Sequence, residues 1–548
     1  MKTQGYYVHK DTPWLNAAKF ANYLTRRGTE VLWSKEGYFA PREESVKAIA
    51  DKLSVALAPA EEAPRGEVYA LGAPRVALYG CGAPCNYARL LSSAGFDCYF
   101  ISDSEVRNGK LKYYDALVVP GGGMRAMEGQ LLPLGKQGVA EIQKFTRDGG
   151  MYMSSCAGSC NAAIMSDDFN ELHPISADWE LINAKIWNSA GKDKVKWPGL
   201  IPPGIGVISA RTVADHPVMW GMPETFDMMH YNGPIFDLAP LYSVDGASNA
   251  IGLTSWDKLT DRFTPSEQYF PSEKTARYAG ELAAEQGKFG SVLGFLDQGK
   301  VVLFGSHPEF GFSALMDDIQ LCGLMAVNAL LWHSGTRKNA RVDDDFHRDY
   351  HLARGMSIVR SPESNAELFA CRISEVREYI ARYKAAGEKS PEWLDIEKNI
   401  SQFGKSPQEV WDEIYDALPE VLAQLEKRFA ANEEAAAKLR CKQSEAAANL
   451  AVEWYDAIHY KRDDAWQQDY GYHGILKQLD IALDYFKQGE PYLETPRRRP
   501  DMPYDDFDNN PYLLSAGLYI SSAGSIGNAL LIAEMYASKF EMFGTSDI

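Results

Sequence analysis

Three side chains in this chain have the types needed for covalent acyl-transfer chemistry: Cys156 in Ser154-Ser155-Cys156-Ala157-Gly158, and His307 and Glu309 in His307-Pro308-Glu309. A thiol can attack a carbonyl, an imidazole can move its proton, and a carboxylate can hold the imidazole in the right tautomer. The thiol follows the apolar run Met151-Tyr152-Met153 and precedes Ser159-Cys160-Asn161-Ala162-Ala163-Ile164. That is a strand running into a helix through a turn of small residues, the pattern of a nucleophile elbow. Such a turn lifts Cys156 to a helix N-terminus, where partial positive charge favours thiolate.

His307 follows Lys300-Val301-Val302-Leu303-Phe304-Gly305, a buried-strand pattern, and is expected at the strand's carboxyl end, where sites form in parallel sheets. A third strand, Asp115 to Val119, ends in Pro120-Gly121-Gly122-Gly123. The N–H groups of Gly122 or Gly123, with that of Ala157, are the expected oxyanion hole. His230-Tyr231-Asn232 either contact substrate or form a strand whose polar groups are satisfied internally.

The elements around these residues alternate. Arg75–Gly80, Cys98–Ser102, Ala116–Pro120 and Met151–Ser155 read as strands, with helices over Pro84–Ala94 and Gly138–Arg147. Such alternation predicts an α/β fold with a doubly wound, mostly parallel, flavodoxin-like sheet. Residues 1–72 read as an accessory α/β layer on that sheet, 73–340 as the main domain and 341–360 as a linker. Residues 361–548 read as an independent helical domain, with helical periodicity over 366–385, 391–403, 408–429, 433–460, 474–488 and 511–543.

The combination of elbow, glycine turn and His-Pro-Glu resembles the class I glutamine amidotransferase-like superfamily. Within it, Cys156-Ala157-Gly158-Ser159, Pro120-Gly121-Gly122-Gly123 and His230-Tyr231-Asn232-Gly233-Pro234 look most like the amidotransferase-like N-terminal domain of some biotin–protein ligases. Ala73 to Tyr79 and His216 to Pro223 also look like the amidotransferase-like region of some bacterial zinc carboxypeptidases. The resemblance covers about residues 70–335. It implies a Cys156–His307–Glu309 triad forming an acyl-enzyme on a carboxamide, so that the protein is a cysteine-nucleophile hydrolase or acyl transferase. Two features depart from the pattern. Ser154 stands where the elbow's first glycine is expected, and the interval from Cys156 to His307 is long (307 − 156 = 151 residues). The extra chain, 167–203 with Trp179, Trp187 and Trp197, is expected to form a lid. The alternative is a non-catalytic ligand-binding or regulatory protein on the same fold.

Composition narrows the partners. A net charge of −18, from 74 acidic against 56 basic residues, opposes binding to nucleic acid or anionic membranes. The eight cysteines form no disulfide framework, and Met1 to Tyr6 carries no apolar leader, so a reducing cytoplasm is the expected location. Cys81 and Cys85 are four apart, but no second pair with metal spacing follows; no metal and no cofactor are expected. The expected substrate is a small-molecule or peptide amide. No phosphate-binding loop is present, so an amidotransferase role requires a partner synthetase.

Asn509–Ala533 is uncharged and long enough to span a membrane, but its Ser, Gly and Asn content suits a bundle helix. Ser515-Ala516-Gly517 recurs as Ser522-Ala523-Gly524 on one face, which predicts close helix contact and assembly into a homo-oligomer.

Overall fold

The structure, a computed structural model of the chain, describes residues 4–79, 84–121, 126–165, 179–186, 204–231, 233–265, 288–310, 317–337, 341–343, 345–353, 362–387, 407–441, 444–460, 474–494 and 511–543. The first unit contains β1 (Gly5–Val8), α1 (Trp14–Arg26), β2 (Leu32–Ser34), β3 (Gly37–Pro41), α2 (Glu44–Lys52), β4 (Leu57–Ala60) and β5 (Val68–Ala70). Its strands form a separate five-stranded antiparallel sheet, order β4-β1-β3-β2-β5. Trp33 of this unit packs edge-on against Trp220 at 4.7 Å. Trp220 ends the short turn Pro217–Met219, whose N-cap His216 accepts a hydrogen bond from the Val218 N–H at 3.2 Å. The string from His216 to Pro223 therefore joins two units and takes no part in the candidate site.

The main unit follows with β6 (Arg75–Tyr79), α3 (Pro84–Ser93), β7 (Asp97–Ile101), α4 (Asp103–Arg107), β8 (Ala116–Val119), α5 (Ala126–Arg147), β9 (Met151–Ser155) and α6 (Cys156–Ala162). Then come β10 (Lys185–Ile186), β11 (Gly204–Thr212), β12 (Thr225–Tyr231), β13 (Phe236–Asp237), β14 (Ile251–Pro265), β15 (Lys288–Phe289), β16 (Ser291–Leu296) and β17 (Gly299–Phe304), closed by α7 (Gly323–Thr336) and α8 (Phe346–Ala353).

The fold is mixed α/β. Its nine-stranded sheet has the order β12-β11-β14-β16-β17-β9-β8-β6-β7. The segment from β17 to β7 is parallel, as expected, but the other half is antiparallel. The switch occurs at Asp297-Gln298, which joins β16 to β17 with Leu296 opposite Gly299. A parallel neighbour needs a crossover of a dozen residues or more, and a two-residue turn, here with Asp297 at φ 50°, permits only a hairpin.

The C-terminal part is helical: α9 (Pro362–Gly387), α10 (Pro407–Arg440), α11 (Glu445–His459), α12 (Ile475–Glu494) and α13 (Pro511–Phe543). The helix expected over 391–403 lies outside the described residues. Phe369 stacks on Phe429 at 3.9 Å, and Trp454 packs on Tyr536 at 5.6 Å. One apolar core runs from α1 and α3 into these helices. In α13, Ala529 to Ala533, Met535 and Tyr536 are all buried, so this stretch of the helix needs neighbours on every side. Arg89 of α3 pairs with Glu534 of α13 at 2.7 Å. A methyl added at Gly524 would meet nothing within 4 Å, so this glycine sits at no tight helix contact. Among the described residues no helix is long and apolar enough to cross a membrane.

Candidate active site

Strand register brings the three motifs together. Phe304 of β17 lies beside Ser155 of β9, and Val119 of β8 lies beside Ser154. Cys156, the Pro120-Gly121 turn and Ser306-His307 therefore leave adjacent parallel strands at the same edge.

Cys156 has φ 48°, in the left-handed region that a residue with a Cβ seldom occupies, as a nucleophile elbow demands. Several contacts hold it there. Gly158 lets α6 close onto β8, since a Cβ at that position would lie 2.2 Å from the Val119 carbonyl oxygen. The Tyr152 hydroxyl donates to the Gly158 carbonyl at 2.7 Å, and Ser159 donates to the Phe304 carbonyl at 2.8 Å. Ser154 is accommodated because its hydroxyl pairs with that of Ser159 at 2.9 Å.

Opposite the thiol, His307 Nδ1 donates to Glu309 Oε1 at 2.7 Å, with both side chains buried. The His307 N–H is itself held by the Met229 carbonyl at 2.8 Å. Nε2 is buried and makes no hydrogen bond. A methyl built on Gly121 would lie 2.5 Å from His307 Cε1, 3.3 Å from Nε2 and 3.0 Å from Cys156 Cβ. Imidazole and nucleophile thus flank one glycine, and only the missing side chain leaves room for both. The Cys156 thiol donates to the Tyr231 carbonyl at 3.4 Å.

Sequence reasoning missed the surroundings of the carboxylate. Ser155 sits at the N-cap of α6 but caps nothing; its hydroxyl donates to Glu309 Oε1 at 2.8 Å. The buried Tyr87 phenol is pushed well up by burial and then by the Glu309 charge. Gln130 was missed as well. Its amide donates to the Pro120 carbonyl at 2.7 Å and accepts from Asn161 at 2.9 Å, tying the glycine turn to α6. These partners come from distant segments and leave no local signal.

Burial works against a charged imidazole at His307, but the Glu309 carboxylate and the Cys156 sulfur outweigh it and raise the group to about 10. The arrangement favours imidazolium beside sulfur. By contrast, burial raises the Cys85 and Cys98 thiols to about 12, and pushes Cys160 and Cys322 up as well.

Ala157 follows the nucleophile in the first turn of α6, while Gly122, Gly123 and Asn232 lie outside the described residues. The His230 ring is buried, with Nδ1 3.0 Å from Ser306 Oγ and its edge on Trp256 at 4.8 Å; Tyr231 is 41% exposed. Of the expected lid, Trp187 and Trp197 lie outside the described residues. Trp179 is core, packed edge-on against Tyr152 at 6.2 Å.

No protein-family model matches the chain, and neither does any curated protein. Solved structures are similar to part of it. A cytoplasmic protein from Salmonella typhimurium is 14% identical over 52% of this chain and 92% of its own, with a TM-score of 0.29. A glutamine amidotransferase from Thermotoga maritima is 12% identical over 48% of this chain and 99% of its own, at 0.28. A ThuA-like protein from Bacteroides uniformis is 13% identical over 51% of this chain and 97% of its own, at 0.30. At such values the fold is read from the strand order and the site from its own distances.

Proposed function

We propose that the protein is a cysteine-dependent amidohydrolase or acyl transferase of the class I glutamine amidotransferase-like type, acting on a small-molecule or peptide carboxamide. The observation that carries this reading is the meeting of a strained Cys156 and a His307–Glu309 pair at one sheet edge, around the side-chain-free Gly121. The finer likeness to the domain of biotin–protein ligases rests on sequence strings alone.

In the proposed reaction the Cys156 sulfur attacks the amide carbonyl, forming the C–S bond as the carbonyl π electrons move to oxygen. The Ala157 N–H, with donors from the glycine turn, stabilises that oxyanion. The C–N bond then breaks, and the amine leaves with a proton from His307. Water, deprotonated by the neutral imidazole, attacks the thioester; the C–O bond forms and the thiolate departs. Glu309 holds the ring and stabilises its charged form throughout. For an acyl transferase an acceptor amine takes the place of water, and for an amidotransferase the ammonia passes to a partner synthetase.

Labelling with iodoacetamide at neutral pH, read residue by residue by mass spectrometry, tests the reading. Cys156 should react at least about tenfold faster than the exposed Cys371 and Cys441. Cys156→Ala should abolish turnover of carboxamide substrates with the fold retained. Equal rates at the three thiols, or turnover surviving in the variant, would overturn the proposal in favour of a binding protein.

A further inference from the structure

We propose that His347, His351 and Glu453 form a site for a divalent transition-metal ion that ties α8 to α11, where the chain leaving the sheet meets the helical bundle. The two histidines are four residues apart on one helix, so both rings lie on the same face. Glu453 comes from the other helix, and one ligand atom from each of the three lies within 4.8 Å of the others. The edge between His347 Nδ1 and Glu453 Oε1 is 3.5 Å. Ligand bonds of about 2.0–2.2 Å in a tetrahedral shell require edges of about that length. Closing the remaining edges takes a shift of about an ångström, within reach of side-chain rotation.

Burial and bonding point the same way. His347 Nδ1 is buried and makes no hydrogen bond, although Glu453 Oε1 lies 3.5 Å away. A buried nitrogen lone pair without a partner is costly, and an ion would satisfy it. Glu453 is 2% exposed, and its two oxygens face different ways. Oε2 lies 3.3 Å from the Lys539 ammonium, while Oε1 faces His347 and, at 3.4 Å, the Tyr99 hydroxyl. Lys539 also sits 3.7 Å from Asp97, so its charge is shared between two carboxylates and does not cancel Glu453.

The donor set selects the ion. Two imidazoles and one carboxylate suit zinc, cobalt or nickel, whereas calcium and magnesium require mostly oxygen ligands. With three protein ligands a fourth position is left for water. Arg75 of β6 lies over the Phe346 ring at 3.9 Å, which anchors α8 to the parallel half of the sheet. Metal bonds to Glu453 would extend that anchor into the bundle. Cysteine spacing could not reveal this set, because it exists only where two distant helices touch.

The test uses untagged full-length protein carrying Cys156→Ala, so that the proposed nucleophile is not a ligand, stripped with chelator and titrated with zinc by calorimetry. One ion should bind per chain. His347→Gln and His351→Gln should each weaken binding at least about 100-fold while leaving the metal-free thermal midpoint unchanged. Cobalt should give visible absorption bands of a four- or five-coordinate ion in the parent but not in either variant. Zinc should raise the thermal midpoint of the parent alone. Equal affinity in parent and variants, or no binding at 100 µM zinc, would overturn the proposal. Should His351→Gln fail to fold, His347→Gln decides alone, since that side chain is 37% exposed.

Discussion

The Ser155 hydroxyl hydrogen-bonds the Glu309 carboxylate at 2.8 Å across 154 residues of chain. The same oxygen accepts the hydrogen bond from His307 Nδ1, so the carboxylate that orients the base is pinned to the residue immediately before the nucleophile. A shift of the elbow would therefore move thiol and imidazole together. Removing one hydrogen bond to a charged group costs about 1.5–3 kcal/mol, so Ser155→Ala should slow turnover by about tenfold or more through kcat, with KM little changed. Glu309→Gln should cost more, about 10²–10⁴-fold, yet less than the complete loss in Cys156→Ala. Steady-state kinetics on the three variants check this order, and equal losses would show that Glu309 does more than orient.

Gly121→Ala is expected to disable the site without unfolding the protein. The added methyl would fall 2.5 Å from His307 Cε1 and 3.0 Å from Cys156 Cβ, and it can be accommodated only by displacing the imidazole. Alkylation of Cys156 should fall at least about tenfold, while the urea midpoint changes little. Unchanged labelling would mean that imidazole and thiol do not cooperate.

Much of this site was legible because each motif is contiguous and follows an apolar strand. Regular alternation of strands and helices announces the parallel pairing of β8 and β9 that brings Cys156 beside the glycine turn, and His307 needs only a parallel β9–β17 pair to join them. The antiparallel half was not legible. The 15 residues of β14 pair with β11 through two register shifts, a match no local pattern encodes. His230 shows the same limit at one residue. A polar side chain on a strand can face either way, and here Trp256 and Ser306 receive it. In α13 the burial of Ala529 to Ala533 on successive positions was not legible either, because it depends on helices from distant segments closing around that stretch.

The raised His307 makes stability depend on pH in a definite direction. Its folded value of about 10 lies above the ordinary 6.5, so its contribution is fully present below about 6.5 and is lost as pH rises through 10. Glu309→Gln removes the main charge that raises it, and burial should then bring His307 down. Urea midpoints measured from pH 6 to 10.5 should fall more steeply with pH in the parent than in Glu309→Gln. Parallel profiles would remove the charged His307–Glu309 pair. The same shift predicts that turnover, which needs a protonated His307 to release the amine, persists to higher pH in the parent than in the variant.

Lys539 should prove the costliest single side chain to remove at the contact between bundle and sheet. It is 2% exposed, and its ammonium lies 3.3 Å from Glu453, 3.7 Å from Asp97 and 3.6 Å from the centre of the Tyr99 ring. Asp97 keeps Arg26 at 3.6 Å and Arg75 at 3.7 Å, but among the described residues Glu453 has no second Lys or Arg partner. Lys539→Met therefore strands one buried carboxylate, at a cost of about 3–5 kcal/mol. Adding Glu453→Gln removes the stranded charge and should restore a substantial part of that loss, since an amide is cheaper to bury than an unpaired carboxylate. Urea denaturation of the parent, the single variant and the double variant decides it. A single-variant loss under about 1 kcal/mol, or no recovery in the double, would show that α13 is held to the sheet by apolar packing alone.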